Sequence, residues 1–136
     1  MIRNNSTIRD EQQIRELIES WAKAVRNEDM AGALANHAED IVMFDVPPPL
    51  QSKGIAAYER TWELFFSWSQ HSGVFDIIEM TIVASDSVAF SHGIMRCAGK
   101  EANRKTSTFK FRLTMGFRKI NSEWAITHEH HSLPSR

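Results

Sequence analysis

At 136 residues the chain has room for one domain with a sizeable core and not comfortably for two, so residues 1–136 are expected to form a single domain. Its 16 basic and 17 acidic residues are interspersed and sum to −1, which leaves no basic patch to mark a nucleic-acid or anionic-membrane partner. The one cysteine, Cys97, excludes an internal disulfide and a thiolate metal cluster and fits a reducing compartment, so a cytoplasmic location is expected.

The opening "MIRNNSTIRDEQQ" is polar, without the apolar core of a signal peptide, and no apolar run nears the roughly 20 residues that span a bilayer. Ile14, Leu17, Ile18, Trp21, Ala24 and Val25 then recur at the spacing of one helical face, predicting a long amphipathic helix. Thr7, followed three residues on by Asp10, reads as its capping box. Asp29 is the expected N-cap of a short second helix through Met30, Ala33, Leu34 and His37. "DIVMFDV" reads as a strand that Pro47, Pro48 and Pro49 halt, since proline carries no backbone donor. Beyond "PPPLQSKG", Ile55, Tyr58, Trp62, Phe65 and Phe66 share one side of a second long helix. The period then changes to two. "VFDIIEMTIVASDS", "VAFSHGIMRCAG", "KTSTFKFRLTMGFRKI" and "SEWAITHEHHSL" are predicted strands, with turns at Asp86-Ser87, from Gly99 to Asn103 and at Asn121-Ser122. Helices followed by strands in hairpin order imply an α+β domain whose antiparallel sheet carries helices on one face.

The last strand holds the richest chemistry. Simple alternation puts Trp124, Ile126, His128 and His130 on one face and Ala125, Thr127, Glu129 and His131 on the other. A two-residue turn at Asn121-Ser122 and a bulged turn one residue longer give opposite registers, and a bulge within the strand would bring members of both sets to one face. Facing a pocket, Glu129 and His131 would form an acid–base pair in which the carboxylate orients the imidazole, with Asp45 a further acid or base across the cavity. The same residues also suit a second role, as hydrogen-bonded polar groups at a strand end. An H-x-H pair can begin a metal site, but a third ligand such as His92 or Asp45 is encoded by no spacing, so neither a metal nor a tightly bound cofactor is expected. His92 alternates with Val88, Phe90 and Ile94, and lines the pocket if that face is concave. His37 and His71 are expected in solvent and Arg112 in a pair on the outer surface.

The order of helix, short helix, strand, proline loop, helix and meandering strands resembles the SnoaL-like, ketosteroid-isomerase-like superfamily, also called the nuclear-transport-factor-like fold. "LIESWAKAVRNEDMAGALANHAEDIVMFDVPPP" is similar to that family's opening pattern without a gap, and "INSEWAITHEHHSLP" to its closing strand and to that of the calcium/calmodulin-dependent kinase association domain. The resemblance implies a cone-shaped α+β barrel, a curved mixed or antiparallel sheet wrapped around the N-terminal helices, with a pocket between them. It identifies function loosely, because the superfamily includes isomerases, dehydratases, cyclases, epoxide hydrolases, transport factors and oligomerisation modules. Asp45 falls on the isomerases' base, whereas Trp21 falls on their first-helix tyrosine. Arg112, Thr114 and Met115 supply no second oxyanion acid, so steroid isomerisation in its known form is not expected. Both family comparisons turn Glu129 and His131 inward. Tyr58 is implied at the cavity border, and Trp21, Trp62, Phe66, His92 and Met115 complete the expected ligand-binding set. The implied function is cofactor-independent proton transfer on a small apolar carbonyl or polycyclic compound. The alternative is a non-catalytic ligand-binding or oligomerisation module like the kinase association domain. A homodimer is expected through the outer sheet face, where Trp124 and Ile126 would otherwise be exposed.

Overall fold

The computed structural model describes residues 4–100, 103 and 105–135, so the turn predicted from Gly99 to Asn103 falls partly on residues 101 and 102, outside the described residues. Helix α1 runs Asn5–Arg26 and buries Ile14, Ile18, Trp21 and Val25, the apolar stripe of the sequence. Its cap is Asn4, whose Oδ1 accepts the Thr7 N–H at 2.7 Å. The Thr7/Asp10 capping box is therefore not formed. Asp10 is buried instead, its Oδ1 accepting from Lys119 Nζ at 2.9 Å and from the Trp124 indole N–H at 3.0 Å.

Helix α2, Met30–Leu34, starts as expected at Asp29, whose Oδ1 accepts the Gly32 N–H at 3.1 Å. It stops short of His37 because Asn36 adopts the left-handed conformation at φ 61°, which asparagine tolerates and which breaks the helix. His37 instead opens β1, His37–Phe44. After the prolines, the two-residue β2, Ser52–Lys53, pairs antiparallel with β1. Gly54, at φ 89°, then turns the chain into α3, Ile55–Ser69. The meander follows as β3 Phe75–Ala84, β4 Val88–Lys100, β5 Thr106–Ile120 and β6 Glu123–Ser132.

The strands form one six-stranded sheet in the order β2-β1-β6-β5-β4-β3, curved and unclosed, with the helices on its concave side. This is the expected α+β cone. The sheet is mixed: β3 to β6 are antiparallel, but β1 runs parallel to β6, with Met43 opposite Glu129 and Phe44 opposite His130. That pairing decides where the site lies, since it brings the end of the first strand, at Asp45, beside the end of the last. No helix among the described residues is long and apolar enough to cross a membrane.

The final hairpin combines both devices that the sequence offers as alternatives. Asn121 and Ser122 have φ of 51° and 67°, a two-residue turn with both central residues left-handed, so Ile120 pairs with Glu123 and Phe117 with Ile126. A bulge at Thr127 then shifts the phase, and Gly116 pairs with His128. Position 116 is a glycine, and a Cβ there would just reach van der Waals contact with the Cβ of His128, at 3.4 Å. As a result Trp124 and Ile126 point into the core before the bulge, and Glu129 and His131 point inward after it. The expected outward placement of Trp124 and Ile126 is corrected, and with it the basis on which a dimer through those two residues was expected. His92 is corrected as well. It is exposed on the outer face with Phe90, while the inward positions of that half of β4 carry Ala89, Ser91 and Gly93, small residues that leave space for neighbours such as Met80 over Gly93.

Trp124→Ala should cost about 3–5 kcal/mol in urea unfolding, the range for a large aromatic lost from a core. A cost below about 1 kcal/mol would place Trp124 on the surface and contradict the bulged register.

Candidate functional site

Glu129 has no exposed surface, and a carboxylate without water must be satisfied by protein donors. It has three. Oε2 accepts from the Tyr58 hydroxyl at 2.5 Å and from His37 Nε2 at 2.9 Å, and Oε1 accepts from His131 Nε2 at 3.3 Å. Trp21 extends the network by donating its indole N–H to the Tyr58 oxygen at 3.0 Å. Thus α3, β1 and β6 each contribute a donor to one charge, and α1 supports one of those donors. Burial alone would raise the Glu129 carboxyl, but the hydrogen bonds from His131 and His37, with their charges, outweigh it and hold the group at about 2. Burial, with the neighbouring Glu129 charge and bond, pushes the Tyr58 hydroxyl well above its ordinary 10, so tyrosine keeps its proton and acts as the donor.

The two imidazoles differ in their second nitrogen. His37 Nδ1 faces the Ala35 carbonyl oxygen at 2.8 Å while Nε2 faces the carboxylate, so both ring nitrogens meet acceptors and only the imidazolium satisfies both. His37 and Glu129 therefore form a buried ion pair with fully covered side chains. His131 directs Nε2 to Glu129, and its Nδ1 lies 3.6 Å from Asp45 Oδ1, longer than a hydrogen bond. With Nε2–H committed to the carboxylate, Nδ1 carries the lone pair whenever the ring is neutral. The ring is held by contacts with Phe111 at 5.2 Å and Trp62 at 6.0 Å between centroids.

His131 and Asp45 form part of the wall of a cavity of about 760 Å³. Aromatic residues make up much of the remainder: Trp62, Phe65 and Trp68 from α3, Phe75 from β3, and Phe109 and Phe111 from β5. Trp68 can lie flat on the sheet because position 99 is glycine; any Cβ there would collide with the indole. The mouth is formed by the Pro47–Pro49 loop, Lys53, Arg60, Leu64 and Leu133. Cys97 is also in the wall. Burial first, and the Asp45 charge second, push its thiol up to about 11, so it is a neutral wall group and not a nucleophile near neutral pH.

Of the expected site residues, Asp45, Trp62 and His131 line this cavity, and Glu129 stands directly behind His131. Trp21 and Tyr58 do not reach the cavity wall; both are core side chains spent on the Glu129 network. Met115 is core, paired opposite Glu129 on the adjacent strand. Phe66 stacks on Trp62 at 6.2 Å without reaching the wall, and His92 lies outside on the opposite face of the sheet. His71 is indeed in solvent, but His37, expected there too, is buried at the centre. The signal that could have found it is Asn36, whose tolerance of the left-handed conformation marks a helix end one residue earlier. Among the described residues no group of three or more His, Cys, Asp or Glu side chains is placed to hold a metal ion.

Comparison with known proteins agrees with this fold. Residues 14–136 match the family model of the SnoaL-like domain. An NTF2-like protein of unknown function from Pseudomonas putida KT2440 is 33% identical, with 95% of this chain and 89% of that one covered at a TM-score of 0.82. A Xanthomonas campestris protein provisionally described as a calcium/calmodulin dependent protein kinase II association domain is 20% identical, with 90% and 87% covered at 0.74. A ketosteroid isomerase-like protein from Erwinia carotovora atroseptica SCRI1043 is 14% identical, with 93% and 98% covered at 0.74. The last two show likeness of fold alone. No curated protein matches the sequence significantly.

The folded Glu129 carboxyl titrates at about 2, against 4.5 for an ordinary glutamate. Its contribution to stability is therefore complete above roughly pH 5 and is lost as pH falls through that window, because the unfolded chain takes up the proton first. Glu129→Gln keeps the shape but leaves His37 without its counter-charge, and should cost about 3–5 kcal/mol near pH 7. The difference between wild type and variant should shrink as pH falls from 5 towards 2, measured by urea unfolding. A constant difference across that range would mean that Glu129 is already protonated in the folded protein.

Proposed function

The chain belongs to the SnoaL-like domain family, and on that premise we propose that it is an enzyme that moves a proton, without a bound cofactor, on a small, largely apolar carbonyl or polycyclic compound. The observation that carries this reading is His131, an imidazole fixed through Nε2 by a buried carboxylate and set in the wall of an aromatic cavity with Nδ1 free to act. In the proposed step Nδ1 takes a proton from the carbon beside the carbonyl group. The imidazolium so formed is stabilised by Glu129 on one side and Asp45 on the other. Returning the proton to another carbon completes an isomerisation; giving it to a departing hydroxyl completes a dehydration. The aromatic wall holds the substrate and excludes water, which strengthens both electrostatic contacts. Steroid isomerisation through a first-helix hydroxyl is not part of the proposal, since Trp21 occupies that place and donates to Tyr58. Action as one domain in the cytoplasm is part of it, resting on chain length and the single cysteine.

A second reading, a non-catalytic oligomerisation module, draws on the outer sheet face. Val83 and Phe90, opposite each other on β3 and β4, are about half exposed, and Phe44 contacts His128 and His130 at the other side of the sheet. Association of two copies through that face is compatible with either reading. Only the enzyme needs His131 to titrate within reach of a substrate.

The test uses 2-acetylnaphthalene, whose methyl protons exchange with solvent through the enol. Wild-type protein in D2O should accelerate that exchange, followed by proton NMR, and His131→Gln should lose about 10²–10⁴-fold of the acceleration while remaining folded by circular dichroism. No acceleration by wild type, or an undiminished rate in His131→Gln, would favour the non-catalytic module.

A further inference from the structure

We propose that His37 is a positioning residue of the proton-transfer site: its positive charge offsets that of Glu129, so that the carboxylate fixes the His131 ring without keeping a proton on Nδ1. The inference deepens the proton-transfer reading by naming what controls the base, and rests on that reading for the effect on rate but not for the effect on titration. Charge decides whether a carboxylate orients a base or disables it. Glu129 is fully buried, where a unit charge acts with little screening, and its Oε1 lies 3.3 Å from His131 Nε2. Acting alone it would favour a second proton on the ring and make an ion pair of the two, leaving no lone pair at Nδ1 for a substrate. His37 opposes that outcome. Its Nε2 lies 2.9 Å from Glu129 Oε2 and its Nδ1 2.8 Å from the Ala35 carbonyl oxygen, and its side chain is wholly covered by protein. Both neighbours accept and neither donates, so the ring is an imidazolium whether or not His131 is charged. A carboxylate already paired with one cation attracts a second weakly, because the two positive charges repel each other across it.

The other groups around His131 do not replace this effect. Asp45, which follows β1, lies 3.6 Å from Nδ1 and favours protonation, but its side chain is 23% exposed and its Oδ1 already accepts the Val46 N–H, so solvent screens much of its pull. Cys97 of β4 carries a neutral thiol, and β5 contributes the uncharged Phe111 ring. From α3, Trp62 contacts the imidazole; Arg60 of the same helix and Lys53 of β2 line the cavity as solvent-exposed cations. His37 itself is not in the cavity wall, so it touches no substrate and acts through Glu129. The paired carboxylate keeps enough attraction to stabilise an imidazolium formed in passing and too little to hold His131 charged at rest, which is what a base that must return its proton requires.

The experiment follows the ring nitrogens of both histidines by NMR through a pH titration of wild type, His37→Gln and Tyr58→Phe, each checked for folding by circular dichroism. In wild type, His37 should keep both protons at every pH at which His131 first becomes neutral. His37→Gln retains a donor for Glu129 but removes the charge, and should raise the midpoint of the His131 titration by about one unit or more, a tenfold change in proton affinity. Tyr58→Phe takes a neutral donor from the same carboxylate oxygen and should raise it by less than half as much. A His37 that loses a proton before His131 or together with it, an unmoved midpoint in His37→Gln, or equal shifts in the two variants would overturn the inference. The wild-type titration decides alone should His37→Gln fail to fold. Methyl exchange of 2-acetylnaphthalene in D2O separates this inference from the broader reading, since its rise with pD should follow the His131 midpoint and so begin at higher pD in His37→Gln. If the midpoint does not move but exchange depends on His131, the role of His37 falls and proton transfer stands. If the midpoint moves but no exchange depends on His131, the control of His131 stands and the chemistry falls.

Discussion

One carboxylate without access to water organises this structure. Leaving Glu129 unsatisfied in the core would cost several kcal/mol, so the fold must bring donors to it, and it does so from three elements, with a fourth supporting one of the donors. Tyr58 reaches it from α3 and is itself polarised by Trp21 of α1; His37 comes from the start of β1 and His131 from two residues along β6. The parallel pairing of β1 with β6, the point where the helices meet the sheet, and the inward phase of the last strand are all compatible with satisfying that group. A buried ion pair contributes little net stability compared with an apolar substitute, but it is costly to break on one side only, so it acts more on which structure forms than on how stable it is.

The same constraint gives the cavity its polarity. Two of the donors, Tyr58 and His37, are sealed beneath the wall, and only His131 touches both the buried carboxylate and the open space. A charge that the core had to accommodate for structural reasons is thereby read out at the surface of the cavity as a fixed tautomer. Asp45, delivered to the same point by the end of β1, faces the other nitrogen. Much of the remaining wall is aromatic, so the pair of His131 and Asp45 is set against a largely apolar surface.

Much of this was legible from sequence where a period was long and unbroken. The apolar stripe of α1, the alternation from Phe109 to Phe117 and the proline stop after β1 each follow from spacing alone, and together with the resemblance they yield the fold class. The inward turn of Glu129 and His131 was legible only through the family comparison, because simple alternation gives Trp124 and Glu129 opposite faces and the Thr127 bulge that reconciles them leaves no mark of its own. Gly116 across the hairpin is its nearest trace. His37 was misplaced by continuing a helical pattern through Asn36, and His92 by taking Val88, Phe90 and Ile94 for an inward face when the inward face carries small residues. Tyr58 and Trp21 were expected at the cavity from the family resemblance, which implied Tyr58 at the border and set Trp21 on the isomerases' first-helix tyrosine. Periodicity cannot tell a side chain that lines a cavity from one that lies a layer below it.

The central claim is a division of protons: Glu129 ionised, His37 protonated on both nitrogens, and His131 carrying its single proton on Nε2. Imidazole nitrogen shifts in ¹⁵N-labelled protein, correlated to the ring carbon protons by NMR, read all three at once. At a pH where His131 is neutral, the account predicts a protonated Nε2 and an unprotonated Nδ1 for His131, with two protonated nitrogens for His37. A His131 tautomer with the proton on Nδ1, or a neutral His37 beside a protonated Glu129 carboxyl, would contradict it.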